Sequence, residues 1–104
     1  PLLQSYGHME WLFNKSGNTQ FAEDPETPYV VNFTDKSAVK YLEGFNAEAD
    51  SLFNAPAFHI GLDEVTMRGR FPYRSKPKTF TELFIGAATH WRNFFAKRKT
   101  ETWM

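Results

Sequence analysis

The sequence predicts an α/β fold with parallel strands. Its predicted elements follow the order strand, helix, strand, helix, strand, and this alternation is typical of a parallel sheet or a barrel. Both longer helical segments carry apolar residues at near-helical spacing, which gives each of them one face to bury. The 104 residues are enough for one small domain with one core, and they contain neither an internal repeat nor a low-complexity segment.

The chain begins with a predicted strand and a long loop. Residues 1–6 form the strand, which Gly7 and His8 close, and residues 9–14 fit a short helical turn. Residues 15–32 contain a glycine and two prolines, and this composition predicts an irregular loop. A loop of that length inside a compact domain is more often functional than idle.

A helix and a second strand follow the loop. The helix is predicted from about residue 35 to residue 53, with Thr34 or Asp35 as its N-cap. Its apolar residues form one face: Val39, Leu42, Phe45, Ala49, Leu52 and Phe53. Residues 54–56, Asn-Ala-Pro, break the helix, and residues 57–62 form the next predicted strand.

The last part of the chain holds a basic stretch and a second long helix. Residues 66–78 form an irregular stretch with several basic side chains. Thr79 and Glu82 have the spacing of a capping box, so we expect a helix to begin there. Residues 102–104 resemble the start of a further strand. Because the chain starts and stops within strand-like residues, we expect residues 1–104 to be a single segment of a longer protein.

Composition argues against several classes of protein and of site. Twelve basic and twelve acidic residues give zero formal net charge, so we expect neither nucleic acid nor a membrane as a partner. The cluster Lys97-Arg98-Lys99 closes the second long helix, where cations suit the helix dipole. The absence of cysteine excludes disulfides and zinc–thiolate sites. No apolar run approaches the roughly 20 residues of a membrane span.

The most informative segment is the octapeptide of residues 58–65, Phe-His-Ile-Gly-Leu-Asp-Glu-Val. Its apolar, strand-like part ends in two adjacent carboxylates, Asp63 and Glu64. Burying such charges beside apolar residues is costly unless they are paired, hydrogen-bonded or neutralised. Two interpretations fit this pattern: a carboxylate pair used for chemistry, and a strand that simply ends in a polar turn.

Two motifs of the chain resemble one enzyme family. Residues 59–65 are similar to the His-x-Gly-x-Asp-Glu signature of the family 20 glycoside hydrolases, the β-N-acetylhexosaminidases. Residues 4–10, Gln-Ser-Tyr-Gly-His-Met-Glu, resemble the preceding Gly-His motif of that family, especially in its hexosaminidase D-like branch. Leu62 stands where many members have glycine, so the resemblance indicates the enzyme class more closely than the subgroup or the substrate.

The resemblance implies a partial (β/α)₈ TIM barrel. By its motifs, the chain would run from the end of strand four to the start of strand six, in the order β-α-β-α-β. Such barrels place their active sites at the C-terminal ends of the strands, and a whole barrel needs about 250 residues. The remainder of the parent barrel would therefore be the structural partner of this segment.

The chemistry of the family explains why the two carboxylates are adjacent. Ordinary retaining glycosidases flank the bond with carboxyls about 5 Å apart, whereas adjacent strand residues point to opposite faces. In family 20 the 2-acetamido oxygen of the substrate attacks the anomeric carbon instead. Asp63 would orient the acetamido group and stabilise the positive charge on its nitrogen. Glu64 would protonate the glycosidic oxygen and later activate water, a role that calls for a buried carboxyl beside another carboxylate.

Four further residues are predicted to bind the carbohydrate substrate. His59 precedes Asp63 by four positions, so we expect it on the same strand face, as a supporting hydrogen bond or a sugar contact; a core histidine is the alternative. His8 should lie at the same rim, where a turn-stabilising role is the alternative. Glu10 and Trp11 follow His8 and could line the site, although a packed tryptophan is the more common outcome.

No cofactor and no metal are predicted. His8, His59, Asp63 and Glu64 are chemically plausible ligands, but the sequence has neither a His-x-His nor a His-Glu-x-x-His pair, and the resembled family uses no metal. The predicted function is removal of terminal β-linked N-acetylhexosamine. Two alternatives stay open: an inactive carbohydrate-binding homologue, and a small α/β interaction domain whose motif match is accidental.

Overall fold

Three helices and two short parallel strands form the regular structure of this α/β chain. The structure, a computed structural model, describes residues 1–66 and 68–104. In chain order the elements are α1 (Glu10–Ser16), a 3₁₀ turn (Thr19–Phe21), α2 (Lys36–Phe53), β1 (Ala57–His59), α3 (Phe80–Lys97) and β2 (Glu101–Trp103). Within the described ranges, no helix is both long and apolar enough to cross a membrane.

The helix predicted from about residue 35 to residue 53 is confirmed as α2. Asp35 is its N-cap, because its Oδ1 accepts hydrogen bonds from the backbone nitrogens of Ser37 (2.9 Å) and Ala38 (3.4 Å). These bonds satisfy two of the amides that have no partner inside the helix. The helix ends where Asn54 adopts a left-handed conformation, as the breaker sequence predicts.

The capping box of α3 is confirmed as well. The backbone nitrogen of Glu82 donates to Thr79 Oγ1 (3.2 Å), and the backbone nitrogen of Thr79 donates to Glu82 Oε1 (3.3 Å). At the other end, Arg98 Nε donates to Asp50 Oδ2 of α2 (2.8 Å). The basic cluster at residues 97–99 is therefore more than a solvated helix end, since its central residue joins the two long helices.

The strands confirm the predicted parallel arrangement. β1 pairs with β2 in parallel, with Ala57 opposite Glu101 and His59 opposite Trp103. On the other side of β1, Leu2 forms a parallel bridge with His59, and the Ser5 nitrogen donates to the Gly61 carbonyl (3.2 Å). β1 therefore lies between the N-terminal segment and β2, and α2 and α3 are the connections between these parallel segments.

The regular strands are shorter than predicted. Residues 1–6 form a single bridge rather than a strand, and the second strand ends at His59 instead of Leu62. Gly61 explains why the second strand stops before Leu62, because its φ of 56° is a left-handed conformation that ends regular strand geometry. The chain stays close to its neighbour there: a Cβ on Gly61 would lie 2.7 Å from the Leu3 carbonyl oxygen.

The two long helices cover one face of these parallel segments. Phe58 stacks on Phe95 of α3 with ring centroids 4.5 Å apart. Ser5 is held from both helices: Asn46 of α2 donates to its Oγ (3.1 Å), and the Trp91 indole of α3 donates to its carbonyl oxygen (3.2 Å). Because side chains alternate across strands, residues next to these in sequence point to the opposite face.

That opposite face carries Leu2, His59 and Trp103, which the pairing register places side by side. Leu2 is 52% exposed and Trp103 is 60% exposed. Parallel sheets in known folds are normally covered on both faces. Within the described ranges, this sheet has one uncovered face, defined here as the face of Leu2, His59 and Trp103.

The long loop of residues 15–32 packs against the later irregular stretch. Arg70 forms a two-pronged pair with Asp24, with both nitrogen–oxygen distances at 2.9 Å. The buried Glu23 accepts backbone hydrogen bonds from Tyr73 (2.9 Å) and Ser75 (3.1 Å). Beneath this contact, burial and the nearby Glu23 carboxylate raise the pKa of Tyr6 well above its ordinary value.

Candidate functional site

The candidate site begins at His8, which ends the N-terminal extended segment. Its neighbour Met9 donates a backbone hydrogen bond to the Tyr29 carbonyl (2.9 Å), and the Val31 nitrogen donates to the Tyr6 carbonyl (2.9 Å). These bonds hold the long loop against the segment that carries His8. The imidazole therefore lies beside the Tyr29 phenol, with ring centroids 4.9 Å apart.

Asp63 and Glu64 lie at the same rim as His8. His8 Nε2 is 3.3 Å from Asp63 Oδ2 and 3.3 Å from Glu64 Oε1. These distances confirm the predicted placement of His8 beside the two carboxylates. Both acids follow β1 in a turn. In a regular strand, adjacent side chains would point to opposite faces. Glu64 is not in strand conformation, because its φ is 53°, so both carboxylates can approach His8.

Two non-glycine residues of this site have left-handed backbone conformations. The φ of His8 is 58° and that of Glu64 is 53°. Such conformations cost about 1–3 kcal/mol each and persist only where the surroundings fix them, a pattern that is common at functional sites. The strain therefore falls on the two residues that bring an imidazole and a carboxylate together.

Tyr29 completes the contacts of His8. Its hydroxyl lies 3.0 Å from both ring nitrogens of His8. Burial raises the pKa of Tyr29, and the nearby Glu64 and Asp63 carboxylates act in the same direction. The phenol therefore stays neutral and can serve His8 as a hydrogen-bond donor or acceptor.

A cavity of about 410 Å³ opens next to these groups. It is lined by His8, Glu10, Trp11, Tyr29, Glu64 and Arg68, so it joins four of the predicted site residues with two others. Trp11 is 54% exposed, which leaves part of its indole open to solvent. Arg68 lies 2.9 Å from the Glu10 carboxylate, and this pair forms one wall of the cavity.

His59 lies in a neighbouring cavity rather than beside Glu64. That cavity, of about 450 Å³, also includes Gln4 and Asp63 among its lining residues. The Nδ1 atom of His59 accepts a hydrogen bond from the Gly61 nitrogen (3.1 Å). In the amide orientation that satisfies its hydrogen bonds, Gln4 donates to the Gly61 carbonyl (2.9 Å) and to Asp63 Oδ1 (3.3 Å). Asp63 thus lies between the two cavities, held by His8 and Gln4.

The burial that the acid role calls for is absent from the described part of the chain. The side chains of Asp63 and Glu64 are 54% and 56% exposed. The reason is that both follow the strand end in an exposed turn, where His8 lies against both carboxylates and Gln4 hydrogen-bonds Asp63. Any further burial of these carboxylates has to come from groups outside the described contacts.

The same three groups could also hold a metal ion. One ligand atom each from His8, Asp63 and Glu64 lies within 4.8 Å of the others. Imidazole nitrogen and carboxylate oxygen are both ligands that zinc and iron accept in proteins. The sequence-based expectation of a metal-free site stays a prediction.

In comparisons of the sequence with protein-family models and with curated proteins, no match was found. The resemblance to family 20 glycoside hydrolases therefore depends on the two motifs and on the chemistry of the residues that they contain.

Three residues of this region were missing from the sequence-based site: Gln4, Tyr29 and Arg68. The length of the loop around Tyr29 indicated function, but nothing local singled out this tyrosine. Arg68 belongs to the basic stretch noted in the sequence, where it was one of several cations. Gln4 lies in the first motif, four residues before His8, so the motif itself was the available signal.

Proposed function

We propose that this chain is the catalytic segment of a glycoside hydrolase that removes terminal β-linked N-acetylhexosamine. The observation that carries the proposal is the pairing of Asp63 and Glu64, each 3.3 Å from His8, beyond the C-terminal end of β1. Active sites of barrel enzymes occur at that end of the strands. The motif resemblance supplies the substrate class.

The proposed reaction is a substrate-assisted retaining hydrolysis. The acetamido oxygen of the substrate attacks the anomeric carbon while Glu64 gives a proton to the departing glycosidic oxygen. Asp63 orients the acetamido group and stabilises the positive charge on its nitrogen. The Glu64 carboxylate then takes a proton from water. The water oxygen attacks the anomeric carbon, and the bond between that carbon and the acetamido oxygen breaks, which restores the acetamido group. His8 holds both carboxylates at the rim.

The cavity supports a role for Trp11 and Glu10 in holding the sugar. The exposed part of the indole offers an apolar surface for the face of a pyranose, and the Glu10 carboxylate can accept hydrogen bonds from hydroxyl groups. His59 lies on the Gln4 side of Asp63, so we assign it to sugar or backbone contacts rather than to proton transfer.

The fold of the proposed enzyme is a (β/α)₈ barrel of which this chain is a part. The parallel order of the N-terminal segment, β1 and β2 is compatible with consecutive barrel strands. Strands from the rest of the barrel would cover the uncovered face, because a barrel interior is packed with side chains. They would also supply the walls that bury Asp63 and Glu64.

Carbohydrate binding without hydrolysis is the second candidate. It is favoured by the exposed Trp11 in the cavity together with the exposure of both carboxylates, since stacking needs the indole but no buried acid. Saturable binding of N-acetylglucosamine without turnover of any aryl glycoside would support this candidate against the enzyme.

The test is hydrolysis of aryl N-acetyl-β-glucosaminides by the full-length protein that carries this chain. Glu64→Gln removes the proton donor and keeps its shape, so we expect a loss of about 10²–10⁴ in rate, largest for poor leaving groups. Asp63→Asn should impair substrates that depend on acetamido participation. Glu48→Gln is the matched control, because it removes one exposed carboxylate from α2 outside the site.

Different results would contradict the proposal. Unchanged rates in both Glu64→Gln and Asp63→Asn would remove these residues from the mechanism. Activity that is lost on treatment with a chelator and restored by zinc would indicate that His8, Asp63 and Glu64 act as metal ligands instead.

A further inference from the structure

A third cavity lies between the N-terminal halves of α2 and α3, on the helical side of the molecule. Its volume is about 610 Å³, within the range of small-molecule sites. It shares no lining residue with the two cavities at the carboxylate rim. Its apolar surface comes from Phe33, Val39, Leu83 and Gly86. We call this cavity the interhelical groove.

The charged groups of the groove leave a positive excess. Lys36, Lys40 and Lys78 line it, and none of them forms an ion pair within residues 1–66 and 68–104. The two acids that line it are already engaged. Glu43 is 2.8 Å from His90, and Glu82 belongs to the capping box of α3. An anionic group in the groove would therefore meet three lysines that have no acidic partner.

Gly86 is an exposed residue of α3 that lines the groove. It lies within α3, where glycine is unfavourable compared with alanine, and a Cβ built on it would meet no atom within 4 Å. Packing inside the described chain therefore does not explain the absence of a side chain. The free space above Gly86 borders the apolar side chains of Val39 and Leu83.

We propose that the interhelical groove binds a small amphiphile with an apolar body and an anionic head. The apolar body would lie over Gly86 between Val39 and Leu83, and the head would lie at the end that Lys36 and Lys78 occupy. Both lysines are at the helix N-termini, where backbone dipoles add positive potential. The groove has a volume of about 610 Å³, which is of the size that small-molecule sites have, and this favours a small ligand.

The test uses two dyes with the same body and the full-length protein that carries this chain. The dye 1-anilinonaphthalene-8-sulfonate has an anionic head, and N-phenyl-1-naphthylamine lacks it. Fluorescence titration should show saturable binding of the sulfonate. The triple variant Lys36→Gln, Lys40→Gln, Lys78→Gln removes the three cations. It should weaken the binding of the sulfonate dye by about tenfold and that of the neutral dye by less than about twofold, because only the sulfonate pairs with these cations.

A glycine pair gives the matched control for the position of the site. Gly86→Leu should weaken the binding of both dyes by about tenfold or more, since the new side chain would occupy part of the groove beside Val39 and Leu83. Gly44→Leu places the same side chain at the open glycine of α2, outside the groove, and should leave both affinities unchanged. Both variants should melt no lower than wild type, because leucine is the better helix former.

Several results would overturn the proposal. One is the absence of saturable sulfonate binding, and another is an equal effect of Gly86→Leu and Gly44→Leu. Equal weakening of the charged and neutral dyes by the lysine substitutions would also contradict it. The site is independent of the proposed hydrolase, so Glu64→Gln should bind the sulfonate dye as wild type does, whatever its effect on hydrolysis.

Discussion

At the scale of single residues, Gly61 connects the sheet to the candidate site. Its left-handed conformation ends β1 and leads into the turn that carries Asp63 and Glu64. Its carbonyl accepts hydrogen bonds from the Ser5 nitrogen and from the Gln4 amide. Only glycine combines this backbone conformation with so close an approach of the N-terminal segment.

We predict that Gly61→Ala destabilises the protein by more than about 1 kcal/mol, since alanine is strained at positive φ. The new Cβ would also lie 2.7 Å from the Leu3 carbonyl oxygen and 2.9 Å from the Gln4 Cα. Gly44→Ala is the control, because it places the same methyl group in open space on a helix and should stabilise by up to about 1 kcal/mol. Urea unfolding measures both changes, and equal effects would show that Gly61 is not constrained.

At the scale of elements, a charged contact joins the long loop to the later irregular stretch. Hydrogen bonds from the Arg70 side chain hold the pKa of Asp24 well below its usual range, and backbone amides of Arg70 and Glu26 also lower it. The same loop carries Tyr29 to His8. The Asp24–Arg70 contact therefore helps to keep the wall of the candidate site in place.

This contact predicts the direction of a pH effect. A carboxyl whose pKa is lower in the folded state stabilises the fold above its unfolded pKa, about 3.9 for aspartate. The contribution of Asp24 should therefore be complete near pH 6 and lost as the pH falls below about 4. Asp24→Asn should lower the melting temperature at pH 6 and reduce its further fall on acidification. Thermal melts from pH 6 to pH 3 test this, with Glu48→Gln as the charge-matched control.

At the scale of the whole molecule, the uncovered face is the main apolar surface of the sheet that no other described element packs against. Leu2 and Trp103 are more than half exposed there, beside His59. The outer edges of the N-terminal segment and of β2 have no strand partner among the described residues. Exposed parallel edges and an apolar face favour association with further strands.

We predict that the 104-residue chain alone has no useful glycosidase activity, whereas the full-length protein does. Under the proposed function, the walls that hold the sugar in reactive geometry come from the rest of the barrel, and positioning can supply roughly 7–11 kcal/mol of barrier reduction. Aryl N-acetylglucosaminide assays at equal molar concentration compare the two. Robust turnover by the chain alone would contradict this prediction, and a monomeric chain with a cooperative melt would favour the interaction-domain alternative.

Features that depend on neighbours in sequence were predictable. The caps of α2 and α3 come from Asp35 and from the Thr79–Glu82 pair, where a side chain bonds to an amide two or three residues away. The parallel order followed from the alternation of helices and strands. The motif at residues 59–65 identified Asp63 and Glu64, and the turn after the preceding segment placed His8 near them.

The helices, their caps, the parallel order and the acidic pair could therefore be predicted from local sequence. Long-range packing set the other features. Tyr29 reaches His8 across 21 positions, and Arg68 reaches Glu10 across 58. The conformation of Gly61 shortened β1, and the turn after it left both carboxylates exposed. Such contacts depend on where separate loops pack in space, and the local spacing of residues in the sequence does not specify which distant residues meet.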